Sequence, residues 1–231
     1  MFGLRAGKAL LLILIVLTTT TCFRCDPEQD WEGLDVRFVL SFSIQPSSET
    51  VRVGDTLWLT AQMDDEIPEY TSGRKYKLVD FDFNCNIGFF ELTGRELGLS
   101  QQPGAAERFT IANKVGSIDN IRDTFADLNL VYQNQQYVCR IGIVPTNAGV
   151  YSINFLFPRG LDFSGIDFGY SENGKRFRPY YALMYYVINN GTANNVDLMR
   201  AHCKLGSDLD PETGIVFYEQ KGTFTFRVVA K

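Results

Sequence analysis

The chain has 231 residues, 45% of them hydrophobic and 21% charged, the balance of a globular protein rather than a disordered one. Its net charge is −5 and no segment concentrates Lys and Arg, which argues against nucleic acid as a partner. Aromatic side chains are abundant, with 18 Phe and 11 Tyr. Together with Val, Ile and Thr they favour strands.

Met1–Lys8 carries two positive charges, Arg5 and Lys8, and Ala9–Leu17 is an unbroken apolar run. That run is under half of the ~20 residues that a membrane-spanning helix needs, and four threonines follow it. The order is that of a cleavable export signal over residues 1–21. Thr18–Cys22 then sets a cysteine just past small residues and resembles a bacterial lipobox. The resemblance implies that Cys22 is acylated and becomes the mature N-terminus, with the membrane as a partner through the lipid. Thr19 and Thr21 stand where a lipobox usually has Leu and Gly or Ala, so ordinary cleavage without lipid is the alternative. The five cysteines are an odd count for an exported chain, and acylation of Cys22 leaves an even number to pair.

Residues 22–35 are polar and acidic, a tether composition. From Val36 the pattern has period 2. Phe38, Leu40, Phe42 and Ile44 alternate with Arg37, Val39, Ser41 and Ser43, which predicts a half-buried strand. The same alternation recurs at Leu57–Ala61, Phe81–Ile87, Tyr137–Ile143 and Phe224–Val228. Gln133–Gln136 and Asn173–Gly174 read as hairpin turns, the second as a type I′ pair. Thr192–Cys203 has a Thr cap, no Gly or Pro, and Val196, Met199 and Cys203 at helical spacing, so it is the expected helix.

Two stretches resemble immunoglobulin-like sandwich domains. Val51–Ala61 resembles the entry to the second strand, and Asn147–Phe155 the start of the sixth. In that family a Tyr two residues before the second cysteine bonds back to the corner backbone. Tyr151 fits that Tyr, while Ile153 occupies the cysteine position, so the usual inter-sheet disulfide is absent. The expected fold is therefore mostly β. It is an immunoglobulin-like β-sandwich over residues 36–231, with an inserted segment at 158–214 carrying one short α-helix. The layout also resembles the surface lipoproteins of Bacteroidota-type envelopes, which implies an outer-membrane-anchored location.

No catalytic signature is present. The one histidine, His202, neighbours Cys203, but adjacent helical residues do not face each other. G-x-S-x-G, P-loop and H-E-x-x-H motifs are missing, and no cofactor is implied. Asp208, Asp210, Glu212 and Glu219 have calcium-loop spacing, but Thr213 stands where an EF-hand needs Gly, so a solvated acidic turn is expected. Cys22-x-x-Cys25 has redox or zinc half-site spacing without a second C-x-x-C or a βαβ context. Asp80, Asp82, Asp162 and Asp167 are the acids available for glycoside hydrolysis, a reaction that needs a spatial pair. Tyr180, Tyr181, Tyr185 and Tyr186 could form a sugar platform. Both faces of their strand are apolar, which favours a strand covered on both sides.

Pleating sets Cys85 and Cys139 on apolar faces, where a cross-sheet bridge is feasible. Cys25 in the tether and Cys203 at the helix end are peripheral. The favoured pairing is Cys85–Cys139 with Cys25–Cys203, and reduced core cysteines are the alternative. The sequence leads to a non-enzymatic envelope lipoprotein with a binding or structural role, its partner a surface protein or a glycan. A glycan-binding or glycan-cleaving surface module is the competing reading.

Overall fold

In a computed structural model the chain is described at residues 30–156, 161–205 and 220–231. The export signal, Cys22, Cys25 and the acidic loop at 208–219 lie outside these residues. Two compact units divide the chain: residues 1–34 with 168–178, and residues 35–167 with 179–231.

In the first unit, the Ser171 N–H donates to the Lys175 carbonyl at 2.8 Å and the Gly174 N–H to the Ser171 carbonyl at 2.9 Å. A type I′ turn needs positive φ at both central residues. Gly174 has φ +75° but Asn173 is not among the positive-φ residues. The turn is thus a three-residue loop with glycine in its left-handed position.

The second unit is a β-sandwich. In chain order the strands are β1 (Trp31–Gln45), β2 (Thr50–Arg52), β3 (Leu57–Asp64), β4 (Glu66–Pro68), β5 (Lys75–Lys77), β6 (Cys85–Glu91) and β7 (Phe109–Val115). They continue as β8 (Ser117–Asp119), β9 (Phe125–Asn129), β10 (Val131–Gln133), β11 (Gln136–Pro145), β12 (Gly149–Leu156), β13 (Arg176–Ile188) and β14 (Thr223–Val229). The first sheet runs β10-β11-β3-β1-β13 with β7 also on β11, and the second runs β2-β14-β12-β6-β9-β8. The protein is mostly β, an immunoglobulin-like sandwich with one short helix, α1 (Val196–His202), among the described residues.

The alternation read from the sequence is the core. Phe38, Leu40, Phe42 and Ile44 of β1 are buried, as are Leu57, Leu59 and Ala61 of β3 and Tyr137, Ile141 and Ile143 of β11. Facing them, Ile153 and Phe155 of β12 and Phe224 and Phe226 of β14 are buried too. Phe42 and Phe155 stack across the sheets at 4.2 Å, and Phe155 stacks on Tyr186 at 4.9 Å. Tyr151 donates from its hydroxyl to the Ala148 carbonyl at 3.4 Å, which is the expected corner bond. The expected turn at Gln133–Gln136 forms with Asn134 at φ +51° and Gln135 at φ +61°, the two left-handed residues of a type I′ hairpin.

Several boundaries differ from expectation. Strand β1 begins at Trp31, so the last residues of the expected tether are strand. The segment 158–214 is more than an insertion, because β13 forms an edge of the first sheet. That strand is covered only at its second half: Tyr185 and Tyr186 are buried, but Tyr180 is 81% and Tyr181 51% exposed. An edge strand has a neighbour on one side only, and here cover stops before the strand does. The helix starts at Val196 rather than Thr192. Ahead of it the Asn194 amide donates to the Gln220 carbonyl, the Asn195 amide to the Thr225 carbonyl at 2.8 Å, and the Asn194 carbonyl accepts from the Thr225 N–H at 3.1 Å. Those bonds tie residues 194–195 to β14 and leave Asn195 left-handed at φ +58°.

The helix buries a second, smaller apolar cluster of Phe90, Leu92, Leu99, Met199 and Cys203 on the outer side of the second sheet. Beside it lie Ser152, Asn154 and Thr225, all fully buried. Among the described residues, their side-chain oxygens and the Asn154 amide nitrogen have no hydrogen-bond partner. Ser152 pairs with Thr225 across the strands, so these orphaned groups are neighbours.

Candidate functional site

Three of the four acids picked out in the sequence come together. Asp80, Asp82 and Asp162 line one open groove of about 510 Å³ with Lys77, Phe81 and Ser164. Asp167 is not among its lining residues. A smaller groove of about 240 Å³ shares Asp80, Phe81, Asp82 and Asn84 and adds Tyr132 and Tyr137. The segment before β6 makes this shape: Phe83 turns into the core, and Phe81 stacks edge-on to it at 5.1 Å. Tyr137 pins the segment, donating from its hydroxyl to the Leu78 carbonyl and accepting from the Phe81 N–H, each at 2.5 Å.

Two of these carboxylates cap their own turns. Asp82 accepts from the Asn84 N–H at 2.8 Å, and Asp162 from the Ser164 N–H at 2.9 Å. Hydrogen bonds from the Ser164 N–H and the Ser164 hydroxyl hold the Asp162 carboxyl below its usual pKa. A general acid needs the opposite shift. The neighbouring Asp65 accepts from the Tyr132 hydroxyl at 2.7 Å and faces Lys77 at 3.8 Å. That bond pushes the Tyr132 phenol up to about 12.

A different concavity, about 460 Å³, lies on the outer face of the first sheet and is lined by Ser41, Ser43, Thr60, Gln62, Arg140 and Asn190 among others. Strand register builds it. Ser43 pairs with Thr60 and Thr60 with Arg140, giving one row across β1, β3 and β11. Arg140 lies over the Trp58 ring at 4.8 Å. Trp58 pairs with Gly142, where an added Cβ would come within 3.4 Å of the ring. At one end, Asn189 accepts from the Ser43 hydroxyl at 3.2 Å and the Ile44 N–H at 2.9 Å, fixing the turn that presents Asn190. The sequence contained this face only as outward positions of alternating strands, and the register that assembles them was not readable.

The remaining candidates are buried or scattered. Cys85 and Cys139 are buried on inward faces, as pleating requires, but the bridge between them is not formed and both are free thiols. The Tyr186 hydroxyl donates to the Cys85 sulfur at 3.7 Å, while Cys139 bonds to the Ala61 backbone of its own sheet. Each sulfur thus has a partner other than its opposite number. Burial pushes both thiols up to about 12. Cys203 is a buried thiol donating to the Leu97 carbonyl at 3.4 Å, and its expected partner Cys25 lies outside the described residues. His202 is half-buried at the end of α1. Among the described residues no group of three His, Cys, Asp or Glu is placed to hold a metal ion.

No family model and no curated protein matches the sequence. Among solved structures the chain is similar to a type II cohesin dyad from the adaptor ScaA scaffoldin of Acetivibrio cellulolyticus. Identity is 12% over 65% of this chain and 46% of that one, with a TM-score of 0.24, so this chain spans less than half of the dyad. It is also similar to a type II cohesin domain from the cellulosome of Acetivibrio cellulolyticus, at 13% identity over 63% of this chain and 91% of that one, with a TM-score of 0.25.

Proposed function

We propose that this chain is a non-enzymatic binding module of the cell envelope, held to the outer membrane by lipid at Cys22 and displaying its sandwich outside the cytoplasm. The observation that carries the non-enzymatic part is the state of the groove carboxylates. Asp82 and Asp162 are engaged as caps of their own turns, and Asp162 is held ionised. The Asp162 environment moves that carboxyl away from the neutral-pH proton donor that glycoside cleavage needs. What the surface offers instead is two concavities of ligand size, about 510 and 460 Å³, within the range of small-molecule sites. Of the two partner classes, surface protein and glycan, the hydroxyl- and amide-lined sheet face favours a glycan.

Anchoring is tested by growing cells on an alkyne fatty acid and comparing wild type with Cys22→Ala. Label on the wild type and none on the variant supports the reading. Equal labelling of both, or of neither, overturns it. A multiply acylated N-terminus would satisfy the requirement for more than one chain in stable anchoring.

A further inference from the structure

The outer face of the first sheet holds a cation, Arg140, without a counter-ion among the described residues. Arg140 is exposed, and among the described residues it makes no ion pair; the Trp58 ring at 4.8 Å is what faces it. Of the described residues lining the surrounding concavity, Arg140 is the one that carries charge. The polar ones that reach the surface are hydroxyls and amides, Ser41, Ser43, Thr60, Gln62, Gln133 and Asn190, with half-buried Val115 and Val138 between them. A guanidinium presents five donors in a planar fork that matches a carboxylate.

The polar groups around it are oriented. The Gln62 amide donates to Gln136 at 3.0 Å, and Gln136 donates in turn to Asp64 at 2.8 Å. Gln62 therefore leaves its carbonyl oxygen as an acceptor. The Ser43 hydroxyl donates to Asn189 and the Thr60 hydroxyl to the Ser43 carbonyl at 3.5 Å, so both hydroxyl oxygens remain acceptors. A ligand that fits must donate through several hydroxyls, present at least one carboxylate, and lie flat on a sheet beside an indole.

We infer that this face is a binding site for an acidic oligosaccharide, one whose uronic-acid carboxylate pairs with Arg140 while its ring hydroxyls donate to Thr60, Ser43 and Gln62. The inference rests on the reading of the chain as a binding module and names the ligand class. An acidic peptide supplies the carboxylate without the dense hydroxyl donors, so it satisfies the guanidinium and not the rest of the face.

The test is calorimetric titration of the full-length protein, extracted in detergent, with oligogalacturonate, its methyl-esterified form and oligo-glutamate. A second readout is Trp58 fluorescence in a Trp31→Phe background, which leaves Trp58 as the reporter because the chain has two tryptophans. We expect the free acid to bind, the ester to bind roughly 10- to 100-fold more weakly, and Arg140→Ala to lose the same factor, the range for a charged hydrogen bond. Arg140→Lys should fall between. Trp58 emission should shift with the free acid alone. Thr60→Val should weaken binding while far-ultraviolet circular dichroism stays unchanged. Equal binding of acid and ester, undiminished binding by Arg140→Ala, oligo-glutamate as tight as oligogalacturonate, or no binding of any of the three would each overturn the inference. Lipid labelling at Cys22 is measured separately and is untouched by those outcomes.

Discussion

Glu69 is a buried carboxylate held by hydrogen bonds from its own hairpin and from β1, and changing it to glutamine tests how the β4–β5 hairpin is fixed. One oxygen accepts from the Arg37 N–H at 3.3 Å and the Thr71 N–H at 3.0 Å. The other accepts from the Ser72 N–H at 2.6 Å and the Ser72 hydroxyl at 2.7 Å. Burial alone would raise its pKa, but these four bonds more than offset burial and hold it below the ordinary glutamate value. In Glu69→Gln the amide oxygen can still serve one pair, while the NH2 group meets the Ser72 N–H donor head-on. The cost is one part-buried N–H left without its acceptor, about 1 kcal/mol where water can reach it, plus the charge assistance lost from the remaining bonds, so about 1–3 kcal/mol in all. For a domain of this size that lowers Tm by roughly 2–12 °C. Because the folded pKa is depressed, the carboxylate's contribution is complete above about pH 4.3, the unfolded value. It is lost as pH falls through the folded pKa. Urea melts followed by circular dichroism at pH 7 and at pH 3 are the assay. The variant should be less stable at pH 7, and the gap should narrow at pH 3. A difference under about 0.5 kcal/mol at pH 7, or a gap that widens in acid, would refute this account of the hairpin.

Other expectations follow from the same geometry. Thr225→Val removes a buried hydroxyl that has no partner among the described residues at nearly constant volume, and should raise stability by about 1–2 kcal/mol; a loss in thermal melts would mean the hydroxyl is bonded. Cys85 and Cys139, with thiols pushed up to about 12, should resist alkylation at pH 8 in the folded protein and react on unfolding; labelling of the native protein, or a peptide joining the two, would contradict it. Gly116 has φ +70°, and a Cβ there would collide with the Asn129 carbonyl, so Gly116→Ala should cost about 1–3 kcal/mol, measured by urea midpoint.

Much of the sandwich was legible because one face of each strand is core. Period-2 alternation named the buried residues of β1, β3, β11 and β14, and the Tyr151 corner named the chain reversal before β12. It misled where cover departs from the simple two-layer pattern. Thr223 and Thr225 alternate with Phe224, Phe226 and Val228, which sets them on the outer face of β14, yet both are buried because the segment carrying α1 packs on that side. Tyr180 and Tyr181 read as covered, yet they project from an edge strand. The groove acids were visible as residues, but their use as turn caps depends on backbone N–H positions that the sequence does not reveal. The Arg140 face was hidden for a different reason: it needs the register of three strands that are distant in sequence.

Affinity electrophoresis through gels cast with acidic polysaccharide, with reducing ends assayed in the same lanes, separates binding from cleavage. The full-length protein should migrate more slowly in the polysaccharide gel and leave no new reducing ends. Reducing ends that accumulate with wild type and vanish with Asp82→Asn or Asp162→Asn would contradict the non-enzymatic reading, because a carboxylate assigned here to capping a turn would then be performing catalysis.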